Sequence, residues 1–208
     1  MSRQARKPLT ARGERTRCKL LHAAEREFGE FGFHNASVSS ITRRAGVAQG
    51  TFYIYYSSKE AILRELVDSI GQKLRRTLKE ATDGLATRME MERQGLLTFL
   101  EFAIREKNLY RVVLESQFID ESIYRDYYER LAEAYTAQLQ RSQELGETRA
   151  GSATAQAWAL MGIANFLGLR YSVWEGRLPP AEVVDTVMAF IEGGLTPEDA
   201  AAAAAKRC

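Results

Sequence analysis

The chain has few of the residues that build stapled folds and metal sites. Among 208 residues there are two cysteines, two histidines and four prolines. Cys18 and Cys208 lie far apart in sequence, which argues against a disulfide scaffold and for free thiols in a reducing compartment. His22 and His34 are the only histidines, and Cys18 shares a helix face with His22 by spacing alone, so no metal is expected. No apolar run approaches the roughly 18 residues of a membrane span. The opening MSRQARKPLTARGER is basic but lacks an apolar core. It is therefore not a secretory signal, and retention in the cytoplasm is the expectation. A nucleophile elbow, a phosphate-cradling glycine loop and a dinucleotide fingerprint are all missing from the sequence. Glu115 and Asp120 are carboxylates on predicted helices, with no sign of forced proximity. Neither catalysis nor a cofactor is expected.

What is present is helical pattern and uneven charge. Apolar residues make up 45% and charged residues 27%, the balance of an ordinary globular chain with a sizeable core. Net charge is only +2, yet residues 1–60 hold 11 lysines and arginines against five acids, and the remainder holds 18 against 22. A basic head on a mildly acidic body suits a nucleic-acid module joined to a body with another task.

Residues 1–10 read as a flexible basic tail. The first helix spans Ala11 to Phe31, with Leu20, Leu21, Ala24, Phe28 and Phe31 as its buried stripe and Gly32 as its stop. From Ser37 to Lys59 the chain reads SVSSITRRAGVAQGTFYIYYSSK. Ser37 caps a short helix whose apolar face is Val38, Ile41 and Ala45. Gly46 supplies a left-handed turn, Val47 an apolar plug, and a second short helix runs from about Ala48 to Tyr55. Two short helices across such a turn form a helix-turn-helix, whose second helix lies in the major groove. Ser57 or Ser58 then caps a long helix that continues toward Lys79, with Glu60 in its first turn. Further helices are predicted over Met89–Glu106, Asn108–Ile119, Glu121–Leu145, Ala153–Trp174 and Pro180–Phe190. No strand or repeat stands out, and 196–208 reads as a flexible alanine-rich tail. The fold class is all-α, with a DNA-binding head over 11–57 and a helical body over 58–195.

The run Ile41-x-x-x-Ala45-Gly46-Val47-x-x-Gly50-Thr51-Phe52-Tyr53-x-Tyr55-Tyr56-x-Ser58-Lys59-Glu60 resembles the DNA-binding signature of TetR-type repressors. Two positions depart from it: Thr42 stands where the family commonly has Ala, and Tyr56 where it commonly has Phe. Thr42 is expected to loosen the helix pair. The resemblance implies a homodimer, a palindromic double-stranded DNA operator and a small-molecule effector.

Base reading falls to the start of the second helix: Ala48, Gln49, Gly50 and Thr51. Gln49 offers a donor and an acceptor to one base, Thr51 a methyl or hydroxyl, and Gly50 close backbone approach. The resemblance assigns phosphate contacts to Tyr53, Tyr55 and Lys59, and Ser37, Ser39, Arg43 and Arg44 are further donors. The last two helices are expected to make the dimer through Ala157, Leu160, Ala164, Leu167, Gly168, Tyr171, Val184, Val187 and Phe190. An apolar pocket with a few polar groups is expected from Phe99, Phe102, Gln117, Phe118, Tyr127, Tyr128, Trp158, Met161, Asn165 and Trp174. The Phe118-Ile119-Asp120 and Leu160-to-Trp174 stretches resemble members that sense lipids or acyl-CoA. Arg170 has two candidate partners, an acidic ligand head or Glu175. The long helix joining head to body is the expected lever between ligand and DNA. Rival readings are a ligand-independent architectural DNA binder, and a helical carrier or enzyme with an incidental basic head.

Overall fold

The helix signals in the sequence are used at nearly every boundary of the computed structural model, which describes residues 10–197. Expectations for residues 1–9 and 198–208, Cys208 included, lie outside the described residues. Thr10 accepts from the Gly13 amide and starts α1 (Ala11–Phe31), which Gly32 ends at φ +79°. Ser37 and Ser40 form a reciprocal capping box at the start of α2 (Val38–Ala45). After α3 (Gln49–Tyr55) come α4 (Lys59–Thr82), α5 (Arg88–Arg105), α6 (Lys107–Ile119), α7 (Glu121–Glu144), α8 (Ala153–Leu167) and α9 (Ala181–Leu195). There is no strand among the described residues, and no helix there is long and apolar enough to cross a membrane.

The chain divides into two compact units. One takes the residues up to Ser69 together with Asn108–Tyr124. Leu20, Ala24 and Phe28 of α1, Ile41 of α2, Phe52 of α3 and Ile62, Leu63 and Leu66 of α4 are buried in it. Each leucine, isoleucine and phenylalanine among them contributes about 1.5–3 kcal/mol of burial. This unit reaches beyond the helix-turn-helix to include α6. The Gly29 backbone lies so close to Asn108 that a Cβ would stand 2.6 Å from the Asn108 Cβ. The Phe33 amide donates to Glu115 Oε1 (3.0 Å), and Arg64 donates to Asp120 (2.6 Å) and Ser122 (2.8 Å). Two residues of the predicted α1 stripe sit elsewhere: Phe31 is exposed and Leu21 half-buried. Phe31 lies in the last turn, where α1 is about to end at Gly32.

The second unit takes Ile70–Lys107 and the residues from Arg125 on. Its core packs Leu96 and Leu100 of α5, Leu139 of α7, Ala153, Ala157 and Leu160 of α8, and Val184, Met188, Ile191 and Leu195 of α9. A buried polar group ties α5 to α7. Arg88 pairs with Glu92 through Nε (2.7 Å) and Nη2, and the Tyr135 hydroxyl donates to the other Glu92 oxygen. Burial, then the Glu92 charge, pushes the Tyr135 phenol well above its ordinary range.

The single helix expected over Ala153–Trp174 is instead α8 followed by a π-helical segment, Gly168–Glu175. Two anchors on α5 hold the wider turns. A Cβ at Gly168 would lie 2.9 Å from Phe99 Cε1, so a larger residue there would have to displace that ring. The fully buried Ser172 hydroxyl donates to the Leu100 carbonyl (2.9 Å). Trp158, Phe166 and Trp174 of this stretch are exposed.

Candidate nucleic-acid interface

The α2–α3 corner is built by backbone hydrogen bonds around a left-handed glycine. Gly46 adopts φ +67°, ψ 37°, the left-handed region that favours glycine. Its amide donates to the Arg43 carbonyl (3.2 Å), and the Val47 amide reaches back to Thr42 (3.0 Å). This paired closure satisfies the last carbonyls of α2 and reverses the chain. Thr42 does not loosen the pair as expected. It is buried, and its hydroxyl donates to Val38 O (2.9 Å) and Ser39 O (3.1 Å) within its own helix.

With α2 fixed, α3 presents two distinct faces. Phe52 is completely buried and Tyr56 nearly so. Ala48, Gln49 and Gly50 are exposed, and Thr51 is half-buried. A Cβ at Gly50 would meet nothing within 4 Å, so the backbone is open to close approach. Tyr53 is 56% exposed and Tyr55 half-buried. Ile54, 74% exposed, is an apolar group on the same open helix that sequence reasoning passed over. Its only signal was an isoleucine in a seven-residue helix that already had its buried anchor. Ser37, Ser39 and Arg43 are exposed at the two ends of α2.

Two expected phosphate clamps have other occupations. The Lys59 ammonium donates to Phe33 O (2.6 Å) and Ala36 O (2.8 Å) and sits 4.1 Å from the centre of the Phe33 ring. It satisfies carbonyls of the α1–α2 loop, which otherwise would have no helix partner. Arg44 donates through Nε to Glu27 (2.6 Å) and through Nη1 and Nη2 to the two Glu30 oxygens (3.1 and 2.8 Å). Those bonds hold the Glu30 carboxyl below its ordinary range. Both cations are therefore ties within the head.

The body residues are scattered more widely than the sequence suggested. Phe102 and Tyr127 are buried, and the Tyr127 ring rests on α4 where a Cβ at Gly71 would stand 3.2 Å away. Tyr128 donates to Asn165 Oδ1 (3.2 Å) and packs edge-on against Tyr127. Met161 is buried and Phe99 lies over Gly168. Gln117, Phe118 and Trp174 are exposed, so they line no enclosed space. Trp158 instead borders an open groove of about 340 Å³ between α7 and α8, alongside Glu129, Glu133 and Gln140. Arg170 meets Glu175 at 3.6 Å, the second of its two candidate partners.

The residues expected at the dimer interface divide by burial. Ala157, Leu160, Gly168, Tyr171 and Val184 are buried within the chain. Ala164, Leu167 and Val187 are half-buried, and Phe190 alone is exposed. The cause is that α8 is apolar on more than one face, and its small-residue face packs onto α5 and α9.

Comparison with known proteins agrees with this geometry. Residues 20–66 match the sequence profile of a family described as bacterial regulatory proteins, tetR family. A helix-turn-helix-type transcriptional regulator of Bacillus subtilis strain 168, YdgC, is 35% identical over 109 residues, covering 50% of this chain and 55% of that one. A second from the same organism, YvdT, is 44% identical over 52 residues, 25% of this chain and 27% of its own. The chain thus spans about half the length of the first relative and a quarter of the second. Among solved structures, Salmonella enterica GusR superposes with a TM-score of 0.74 at 19% identity, over 86% of this chain and 94% of that one. Bacillus subtilis FadR, solved with stearoyl-CoA, gives 0.72 at 22% identity over 84% and 96%. The last two establish the fold, and the profile match falls on the α2–α3 corner itself. Over residues 20–66, the head that carries the α2–α3 corner, this chain is similar to the tetR family of bacterial regulatory proteins.

Proposed function

We propose that the protein is a homodimeric transcriptional repressor that reads a palindromic operator through α3 and is released from it by a small, largely apolar ligand. The observation that carries the reading is the division of α3: Phe52 buried, Gln49, Gly50 and Tyr53 open, on a corner closed by Gly46. Those open positions are where a recognition helix meets base edges. Exposed Ser37, Ser39 and Arg43 suit the flanking phosphates. Such a protein acts in the cytoplasm, where the DNA is.

Dimer formation is supported by apolar surface left uncovered on α8 and α9. Phe166 is 72% and Phe190 75% exposed, with Ala159 exposed and Ile163 half-exposed on the same run of α8. We assign the interface to this face rather than to Ala157 and Leu160. An acidic residue at Phe190 should shift the protein to monomer in sedimentation velocity; an unchanged dimer would place the interface elsewhere.

The ligand reading rests on the B. subtilis fold relative solved with stearoyl-CoA, and on Phe102, Tyr127, Tyr128 and Asn165 in the body. Tyr127 lies directly on Gly71 of α4, the helix whose first turns belong to the head. A fatty acid or acyl-CoA that moved Tyr127 would act on α4. A coupling of ~3 kcal/mol would weaken DNA binding roughly 150-fold.

Selection from a random duplex pool with the full chain tests the reading. Enrichment of a two-fold symmetric sequence, then its release by stearoyl-CoA, is the expected result. No enrichment would overturn the DNA reading. Enrichment that no acyl compound relieves would favour an architectural binder.

A further inference from the structure

The seven residues of α3 cannot hold their own direction. Its N-cap, Ala48, offers no side-chain bond, and a helix of two turns is not stable alone. Its orientation comes from anchors at Phe52 and at Tyr56, the residue that ends it. At Tyr56 this chain carries a hydroxyl inside the core, on a side chain 1% exposed. A buried hydroxyl must find a partner or cost stability. Here it donates to Glu65 Oε1 on α4 at 3.0 Å. The same carboxylate oxygen accepts from Arg17 of α1, and Arg17 in turn donates through Nε to Glu14 (3.2 Å). One carboxylate therefore joins the end of α3 to α4 and α1.

Ring packing sets how deep Tyr56 sits, since its ring lies 5.6 Å from that of Phe52. It leaves rotation about the contact adjustable, whereas a hydrogen bond is directional. We propose that Tyr56 is a positioning residue for base reading: its bond to Glu65, itself held by Arg17, fixes the angle at which Gln49, Gly50 and Thr51 meet the DNA. Sequence discrimination is then set in part by a hydroxyl that never touches the operator. This rests on the DNA reading above.

The test uses the full chain, wild type, Tyr56→Phe, Glu65→Gln and the double variant, titrated by fluorescence anisotropy on a selected duplex and a scrambled one. Circular dichroism melts establish that each variant is folded at the assay temperature. Tyr56→Phe keeps the ring and should weaken binding to the selected duplex roughly three- to tenfold, a part of what a hydrogen bond to a charged group is worth. Binding to the scrambled duplex should stay the same. Glu65→Gln should move in the same direction, and the double variant should be no worse than the weaker single one, because both break one link. Unchanged discrimination in both single variants would overturn the positioning role and leave the DNA reading standing. An equal loss on both duplexes would also overturn it, as damage to the head rather than to its aim. A wild type that does not discriminate would bring down the DNA reading, and this proposal with it.

Discussion

α3 and α8 are both rich in apolar residues, yet α3, Ile54 apart, separates what folds from what faces outward more cleanly. In α3 the buried group is Phe52, and its neighbours Gln49, Gly50 and Tyr53 differ from it in polarity, size or exposure. In α8 the buried Ala157 and Leu160 and the exposed Trp158 and Phe166 are all apolar. Polarity tells inside from outside only where the two contrast. In the head, partners rather than exposure distinguish the cations: Arg43 and Arg44 are both exposed, and Arg44 and half-buried Lys59 are engaged by Glu27, Glu30, Phe33 and Ala36.

That division can be tested one residue at a time. Lys59→Ala has the largest expected effect. It removes two bonds from an ammonium to carbonyls and the contact with the Phe33 ring, and should cost about 2–3 kcal/mol in urea denaturation. The salt dependence of DNA binding by the folded protein should be unchanged. Stability held within about 0.5 kcal/mol, with a salt slope shallower by about 1, would restore Lys59 as a phosphate clamp. Gln49→Ala should do the reverse. Stability should stay within about 0.5 kcal/mol, while selected duplexes lose preference at one position per half-site, worth about 1–3 kcal/mol. A preference identical to wild type would remove Gln49 from the reading set. In the body, Ser172→Ala should cost about 1 kcal/mol, since the Leu100 carbonyl loses its buried donor. No loss of stability would mean that the π-helical turns do not depend on that bond.

The head was legible because its structure is local. Ser37, Gly46, Val47 and Phe52 each act within a few residues of their own position, so fixed offsets carried the corner and its open face. Thr42 and Tyr56 were visible as departures, but their partners were not: Thr42 turns to its own helix and Tyr56 to Glu65. The ties that Lys59 and Arg44 make were hidden for the same reason, because their partners lie 23 or more and 14 or more residues away. In the body, helix order was readable and assembly was not. Gly168 and Ser172 gave no sign in sequence that they would meet Phe99 and Leu100 and widen the helix there. Gly71 was a stronger hint, since a glycine inside a long helix costs about 1 kcal/mol and asks for a reason. Tyr127 supplies it. The pair Arg88 and Glu92, four residues apart, was readable as an ion pair but not as a buried one with Tyr135.

The most direct test of the central claim is fluorescence anisotropy of the full chain on the DNA upstream of its own gene, beside a scrambled duplex, at physiological salt. Binding to the upstream duplex at ~10⁻⁸ M or tighter, at least a thousandfold (~10³) above the scrambled one, is the predicted result for a repressor that reads bases through α3. Equal and weak binding to both, repeated with duplexes from random selection, would contradict it.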